Sequence, residues 1–254
     1  MPGDIRAASS TISTRERIDG LRVVLFDVDG TLLRGGTTLH KRCMNTALSR
    51  LFSIREGIDS LRPAGRTDRW LVAESLRRAV PTRPPSEDDI NRVLDLMTRL
   101  YAEIDEDLSA AVLPGVHALL SELKRRRYLL GLLTGNVEPI ALTKMRRSRL
   151  NGFFQLGGYG YHSENRSEVV RAALEQVQMV TGQSEGHEIT VVGDTPLDVE
   201  AARVHGLRTL AVATGTFPLD QIRVSSPDRA VPDLSDRDAI VGWLESFPSS
   251  DGAG

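Results

Sequence analysis

Cysteine is nearly missing from this chain. Cys43 alone cannot form an internal disulfide and fits a reducing compartment, so a cytoplasmic location is expected. Lysine is also scarce: Lys41, Lys124 and Lys144 stand against 29 arginines, so chemistry that demands a lysine has three candidates. A large excess of either charge is missing too, and a net charge of −2 gives no global pull toward nucleic acid or an anionic membrane. Any attraction for a charged ligand must therefore be local. No apolar run exceeds strand length, and residues 1–20 carry charges without a continuous hydrophobic segment, so neither a membrane span nor a signal peptide is expected. The histidines His40, His117, His162, His187 and His205 have no metal-ligand spacing and read as structural or exposed. There is no internal repeat.

What remains is an ordinary globular composition, 40% hydrophobic and 26% charged over 254 residues, enough for one large domain or two of ordinary size. The most informative stretch runs from Val23 to Leu32. Val23-Val24-Leu25-Phe26 is apolar without alternation, as in a strand covered on both faces, and it ends in Asp27-Val28-Asp29-Gly30-Thr31. Extended backbone puts Asp27 and Asp29 on one side of the segment, roughly 7 Å apart at Cα. Before it, residues 1–20 are polar and read as a flexible arm. After it the pattern turns helical, with stripes through Met44, Leu48, Leu51 and Phe52, through Trp70, Ala73, Leu76 and Val80, and through Ile90, Val93, Leu94, Met97, Leu100 and Ile104. Ser86 with Asp89 marks a helix start. Residues 35–114 are thus expected to form a helical cap inserted into an α/β core of residues 21–34 and 115–247, with residues 248–254 a frayed tail.

From Gly115 onward strands and helices alternate. Apolar runs 129–133 and 189–192 end in Thr134-Gly135-Asn136 and Gly193-Asp194-Thr195-Pro196-Leu197-Asp198, and further strands are expected near 153–156 and at 209–213. This order predicts a doubly wound, Rossmann-like parallel sheet whose sites lie at the carboxyl ends of the strands. Asp27, Asp29, Asp194 and Asp198 would then share one sheet edge, a hard oxygen-rich set suited to Mg²⁺. A phosphate dianion facing those carboxylates unaided is repelled, and a divalent cation reverses that sign. With charge compensated, an aspartate can attack phosphorus directly, Thr134 and nearby N–H groups can hold phosphoryl oxygens, and a second acid can serve the leaving oxygen.

These motifs, in this order, resemble the haloacid dehalogenase-like hydrolases, in particular the phosphoglycolate phosphatase-like branch with a helical cap. The resemblance spans about residues 21–245 and rests on Asp27-x-Asp29-Gly30-Thr31, on Thr134-Gly135-Asn136, and on Gly193-Asp194-x-x-x-Asp198. It implies a Mg²⁺-dependent phosphatase with Asp27 as nucleophile and Asp29 as general acid and base. Thr134, Gly30, Thr31, Gly135 and Asn136 would sit around the phosphoryl group, and Asp27, Asp29, Asp194 and Asp198 would bind or orient the metal. The family's third motif is a lysine, or less often an arginine, ahead of the fourth. Arg166 is the choice here, bridging Asp27 and the phosphoryl group with a bidentate fork, and Lys144 is the alternative. Arg66, in the cap loop Ala64-Gly65-Arg66-Thr67-Asp68, would meet a substrate carboxylate or second phosphate. The implied ligand is a small phosphorylated metabolite, phosphoglycolate-like or a sugar phosphate, for a monomer or homodimer without nucleic-acid or membrane partners. A phosphomutase of the β-phosphoglucomutase type and a catalytically silent binding domain are the alternatives. A Schiff-base mechanism is disfavoured, because Lys41 is the only lysine in the insert.

Overall fold

A computed structural model describes residues 21–35, 38–55, 57–183 and 187–246. The arm 1–20 and the tail 248–254 lie outside the described residues. The chain opens on β1 (Arg22–Phe26), passes through α1 (Thr38–Phe52), α2 (Asp68–Ala79) and α3 (Glu87–Glu103), and returns with α4 (Val116–Arg125) and β2 (Leu129–Thr134). It continues through α5 (Glu138–Arg147), β3 (Leu156–Tyr159), α6 (Arg166–Thr181), β4 (Glu188–Gly193) and α7 (Pro196–Val204). The last elements are β5 (Arg208–Val212), α8 (Leu219–Val224), β6 (Arg229–Val231) and α9 (Arg237–Glu245).

The six strands form one parallel sheet in the order β3-β2-β1-β4-β5-β6. Its centre is the apolar run singled out in the sequence. Val24 and Phe26 pack on one face with Leu119, Leu120 and Leu123 of α4 and Ile240 and Leu244 of α9. Val23 and Leu25 pack on the other with Val169, Val170 and Ala173 of α6 and Ala201 of α7. Burial on both faces explains why the run has no polar alternation. The winding direction reverses between β1 and β4, so a crevice opens beyond their carboxyl ends.

Helices α1, α2 and α3 build a separate apolar cluster through Met44, Leu48, Val72, Leu76, Val93 and Met97. Val137 and Ile140, at the start of α5, join that cluster, so the cap is packed onto the loop after β2. Its entrance and exit run side by side: Leu33 bridges Val112, and Arg34 N–H donates to the Ala111 carbonyl at 2.7 Å. Ser86 and Asp89 form the reciprocal cap at the start of α3, each receiving the other's backbone N–H. No helix among the described residues is long and apolar enough to cross a membrane.

Two strand expectations are corrected. The third strand falls at Leu156–Tyr159 rather than near 153–156, because Phe153 and Phe154 pack against the core from a loop. The strand runs instead through Gly157 and Gly158, where α6 lies so close that a Cβ on Gly158 would strike the Val169 carbonyl. Strand β6 was not expected at all; it is three half-buried residues on a sheet edge, too short to leave a pattern.

Candidate functional site

Strand pairing brings the first acid into place. Asp27 continues the β1 ladder by donating its N–H to Val192 at 2.9 Å, so the ends of β1 and β4 stay in register. Gly30 turns the chain with φ +96°, and a Cβ there would collide with the Asp194 carboxylate. Thr31 is buried and donates its hydroxyl to Asp194 Oδ1 at 3.3 Å, so it supports that carboxylate.

Asp27, Asp194 and Asp198 each offer an oxygen within 4.8 Å of the others, and all three are buried. Arg166, at the start of α6, enters this cluster. Its Nη2 reaches Asp27 Oδ1 at 2.7 Å, Asp198 Oδ1 at 2.5 Å and the Leu133 carbonyl at 3.2 Å. One nitrogen makes all three contacts, and Nη1 stands beside Gly135 in the cavity wall. Nε is buried without a hydrogen-bond partner among the described residues. Asp198 is fully engaged, with Oδ2 capping α7 through Thr195 N–H at 3.1 Å and Thr195 Oγ1 at 2.7 Å. Asp27 keeps Oδ2 free of hydrogen bonds among the described residues.

The charge in this cluster does not balance. Burial pushes the Asp194 carboxyl up to about 9, with Asp27 and Asp198 adding repulsion. Burial likewise pushes Asp27 up to about 7, although Arg166 opposes it. Burial also acts against the Arg166 guanidinium, but Asp198 and Asp27 outweigh it and raise its pKa. One guanidinium against three carboxylates leaves a deficit of two positive charges, which the oxygen donor set can fill with one hard divalent cation.

Asp29 stands apart from that cluster. Its Oδ2 accepts from Lys144 Nζ at 2.5 Å and from Asn136 Nδ2 at 2.9 Å, while Oδ1 is buried without a partner among the described residues. Burial works to raise this carboxyl, yet the Lys144 charge and hydrogen bond help hold it below its ordinary value. Lys144 is wholly buried and makes two further contacts, with Asn136 Oδ1 at 2.6 Å and His40 Nδ1 at 3.3 Å. His40 Nε2 in turn lies 3.3 Å from Asp68 Oδ2. The sequence offers Lys144 only as the alternative to Arg166, His40 as structural or exposed, and Asp68 only as part of the cap loop. The three come from separate helices, and no spacing signal joins them.

The cap loop lies on the core. Asp68 donates its N–H to the Gly135 carbonyl at 2.7 Å and accepts the Val137 N–H at 2.8 Å. Thr67 caps α2 by accepting from Trp70 N–H at 3.1 Å. The exposed Arg66 stacks its guanidinium over Trp70, 4.4 Å from the ring centroid. Thr134 is buried at the end of β2, its hydroxyl accepting the Asn136 N–H at 3.2 Å. Together these pieces form a half-open cavity of about 450 Å³ lined by Asp27, Asp29, Thr134, Gly135, Arg166 and Asp194 from the core and by Met44, Ile58, Arg66 and Leu71 from the cap.

A phosphoglycolate phosphatase of Pseudomonas syringae pv. tomato is 28% identical to this chain over 227 residues, covering 88% of this chain and 80% of that protein. Solved structures share the fold. The β-phosphoglucomutase of Clostridium difficile superposes with a TM-score of 0.62 at 15% identity, over 89% of this chain and 97% of that one. CbbY from Rhodobacter sphaeroides, in complex with phosphate, gives 0.59 at 19% identity, over 85% of this chain and 96% of that one. The sequence profile of the haloacid dehalogenase-like hydrolases matches residues 21–206. With that match spanning the strand-end acids, the cap and the Asp194 loop, the chain belongs to the haloacid dehalogenase-like hydrolases.

Proposed function

We propose that the chain is a Mg²⁺-dependent phosphatase for a small phosphomonoester, acting through an aspartyl-phosphate on Asp27. The carrying observation is the separation of two carboxylates in one cavity. Asp27 sits with Arg166 and the acidic cluster and has a free oxygen, and Asp29 sits with Lys144 and has another. Among the protein's own groups burial raises Asp27, while Asp29, buried too, is held low by Lys144. With a cation at the acidic cluster Asp27 would stay ionised, and beside a phosphoryl dianion Asp29 would draw a proton, so the two acids take different roles. Asp27 Oδ2 attacks phosphorus, the bond from phosphorus to the leaving oxygen breaks, and Asp29 gives that oxygen its proton. Water then attacks the phosphoenzyme, its proton passes to Asp29, and the bond from Asp27 to phosphorus breaks. Arg166, Thr134 and backbone N–H groups of the Gly135 turn hold the phosphoryl oxygens. Asp27 and Asp194 would hold the cation, with Asp198 orienting from behind; when bound it supplies charge neutralisation for the incoming dianion. The phosphoglycolate phosphatase relative favours a substrate of a few carbons, with Arg66 of the cavity lining toward its far end.

Incubating the purified protein with a panel of phosphorylated metabolites, with and without Mg²⁺, tests this. Phosphate release that requires Mg²⁺, with a hydroxylamine-sensitive phosphoenzyme, is the expected result. No release from any member rejects the reading, and a phosphoenzyme that persists until a sugar phosphate accepts the group would identify a phosphomutase.

A thermal measurement checks the cation separately. The raised carboxyls of Asp27 and Asp194 bind protons more tightly folded than unfolded, so the metal-free protein loses stability as pH rises through about 7 and about 9. A cation replaces those protons, so its benefit grows over the same window. At about 100 times its dissociation constant it contributes about 2.7 kcal/mol, or roughly 5–10 °C in Tm. That rise is expected at pH 8.5 and should shrink at pH 6; identical Tm with Mg²⁺ and with EDTA at both pH values would refute the site.

A further inference from the structure

We propose that Lys144 is a positioning residue for Asp29, and that its third proton, on His40, makes that positioning depend on the seated cap. The inference rests on the reading of Asp29 as the acid and base of a phosphatase. An ammonium has three donors and no acceptor. Those of Lys144 meet three acceptors, Asp29 Oδ2 at 2.5 Å, Asn136 Oδ1 at 2.6 Å and His40 Nδ1 at 3.3 Å. None is left for Asp27, which has Arg166 instead.

The arrangement does more than neutralise a buried acid. Asn136 closes a triangle, accepting from Lys144 while donating to Asp29 at 2.9 Å. Both donors fall on Oδ2, so the carboxylate cannot turn about its terminal bond without breaking two charge-assisted hydrogen bonds. Oδ1 is the oxygen left for proton exchange. Lys144 therefore decides which oxygen of Asp29 works and where it stands.

His40 brings in the cap. It belongs to α1, while Lys144 belongs to α5 of the core. Because the ammonium only donates, His40 Nδ1 must accept, which places the ring proton on Nε2, 3.3 Å from Asp68 Oδ2 but without hydrogen-bond geometry to it. Asp68 is the same cap residue that holds the Gly135 and Val137 backbone groups beside the phosphoryl site. Cap contact with the phosphate-holding loop and cap contact with Lys144 thus run through two adjacent side chains. Moving the cap away strips Lys144 of one acceptor and loosens the group that fixes Asp29. A lid coupled in this way permits efficient proton transfer only once the cavity is covered.

The test separates leaving-group protonation from everything else. Phosphoenzyme formation from an alkyl phosphomonoester needs an acid, whereas formation from an activated aryl phosphate such as 2,4-dinitrophenyl phosphate does not. For Lys144→Met we expect formation from an alkyl phosphate to slow about 10²-fold or more and formation from the aryl phosphate to stay within about 3-fold. Hydrolysis of the phosphoenzyme, which also uses Asp29, should slow, giving a burst of one equivalent of dinitrophenol. In an Asp29→Asn background the same substitution should add less than about 3-fold, because it acts through Asp29. Equal slowing with both substrates, or full additivity with Asp29→Asn, overturns the proposal. Should Lys144→Met fail to fold, His40→Leu decides: selective slowing with the alkyl substrate supports the proposal, and uniform slowing or no change overturns it. If the unaltered chain turns over neither substrate, the phosphatase reading fails and this inference with it.

Discussion

Asp27→Asn is expected to lower phosphatase turnover by about 10⁴-fold or more and to abolish the hydroxylamine-sensitive phosphoenzyme. The substitution is nearly isosteric. An amide oxygen can still accept from Arg166 Nη2, which now contacts Asp27 Oδ1 at 2.7 Å, but the free Oδ2 becomes a nitrogen without a nucleophilic lone pair. Fold loss is a poor explanation for inactivity here. Burial and the neighbouring Asp198 already make the Asp27 charge costly, so a neutral side chain relieves repulsion and the metal-free protein should lose no stability at pH 8.5. The measurement is therefore paired: turnover and acid-quenched phosphoenzyme in one assay, Tm with EDTA in the other. Wild-type turnover in the variant would remove Asp27 from the chemistry, and a lost phosphoenzyme with unchanged Tm assigns the loss to the missing nucleophile.

The parts of this molecule that the sequence disclosed are those whose cause is local. An apolar run without alternation is what a strand under two helix layers requires, and β1 has one on each face. Ser86 and Asp89 lie three apart because a reciprocal helix cap needs that spacing, and Thr195 with Asp198 repeats it at α7. Strand-end acids are visible because apolar residues stop abruptly before them. The Asp29 surroundings are different in kind. Lys144 lies in Thr143-Lys144-Met145-Arg146-Arg147, a sequence that also reads as the ordinary basic last turn of a helix, yet it is completely buried. Its partners sit at positions 29, 40 and 136: pairing of β1 with β2 brings Asp29 and Asn136 to one sheet edge, and α1 brings His40. Arg166 shows the intermediate case. Its position before the Asp194 loop was legible, but the use of a single nitrogen for three contacts is a matter of approach angle that no pattern carries.

That single nitrogen leads to the second large effect. Arg166→Ala takes the only cation from a cluster in which Asp27, Asp194 and Asp198 are buried among the described residues. Removing one partner of a buried ion pair costs about 3–5 kcal/mol, equivalent to roughly 6–20 °C in Tm for a domain of this size. Mg²⁺ should return part of that loss, because it supplies positive charge to the same oxygens. Losing a preorganised donor to the phosphoryl group should also reduce kcat/KM by about 10²–10³-fold. Arg166→Lys divides these effects. Arginine and lysine are not interchangeable where a planar fork grips two oxygens, but Nη2 alone spans Asp27, Asp198 and the Leu133 carbonyl here. One ammonium can replace that nitrogen, so the lysine variant should recover most of the stability and leave kcat within about 10-fold. What it cannot replace is Nη1, which stands beside Gly135 in the cavity wall, and KM for the phosphoester should rise. If Arg166→Lys proved as inactive and as unstable as Arg166→Ala, the bridge would depend on guanidinium shape, and the single-nitrogen account of this position would be wrong.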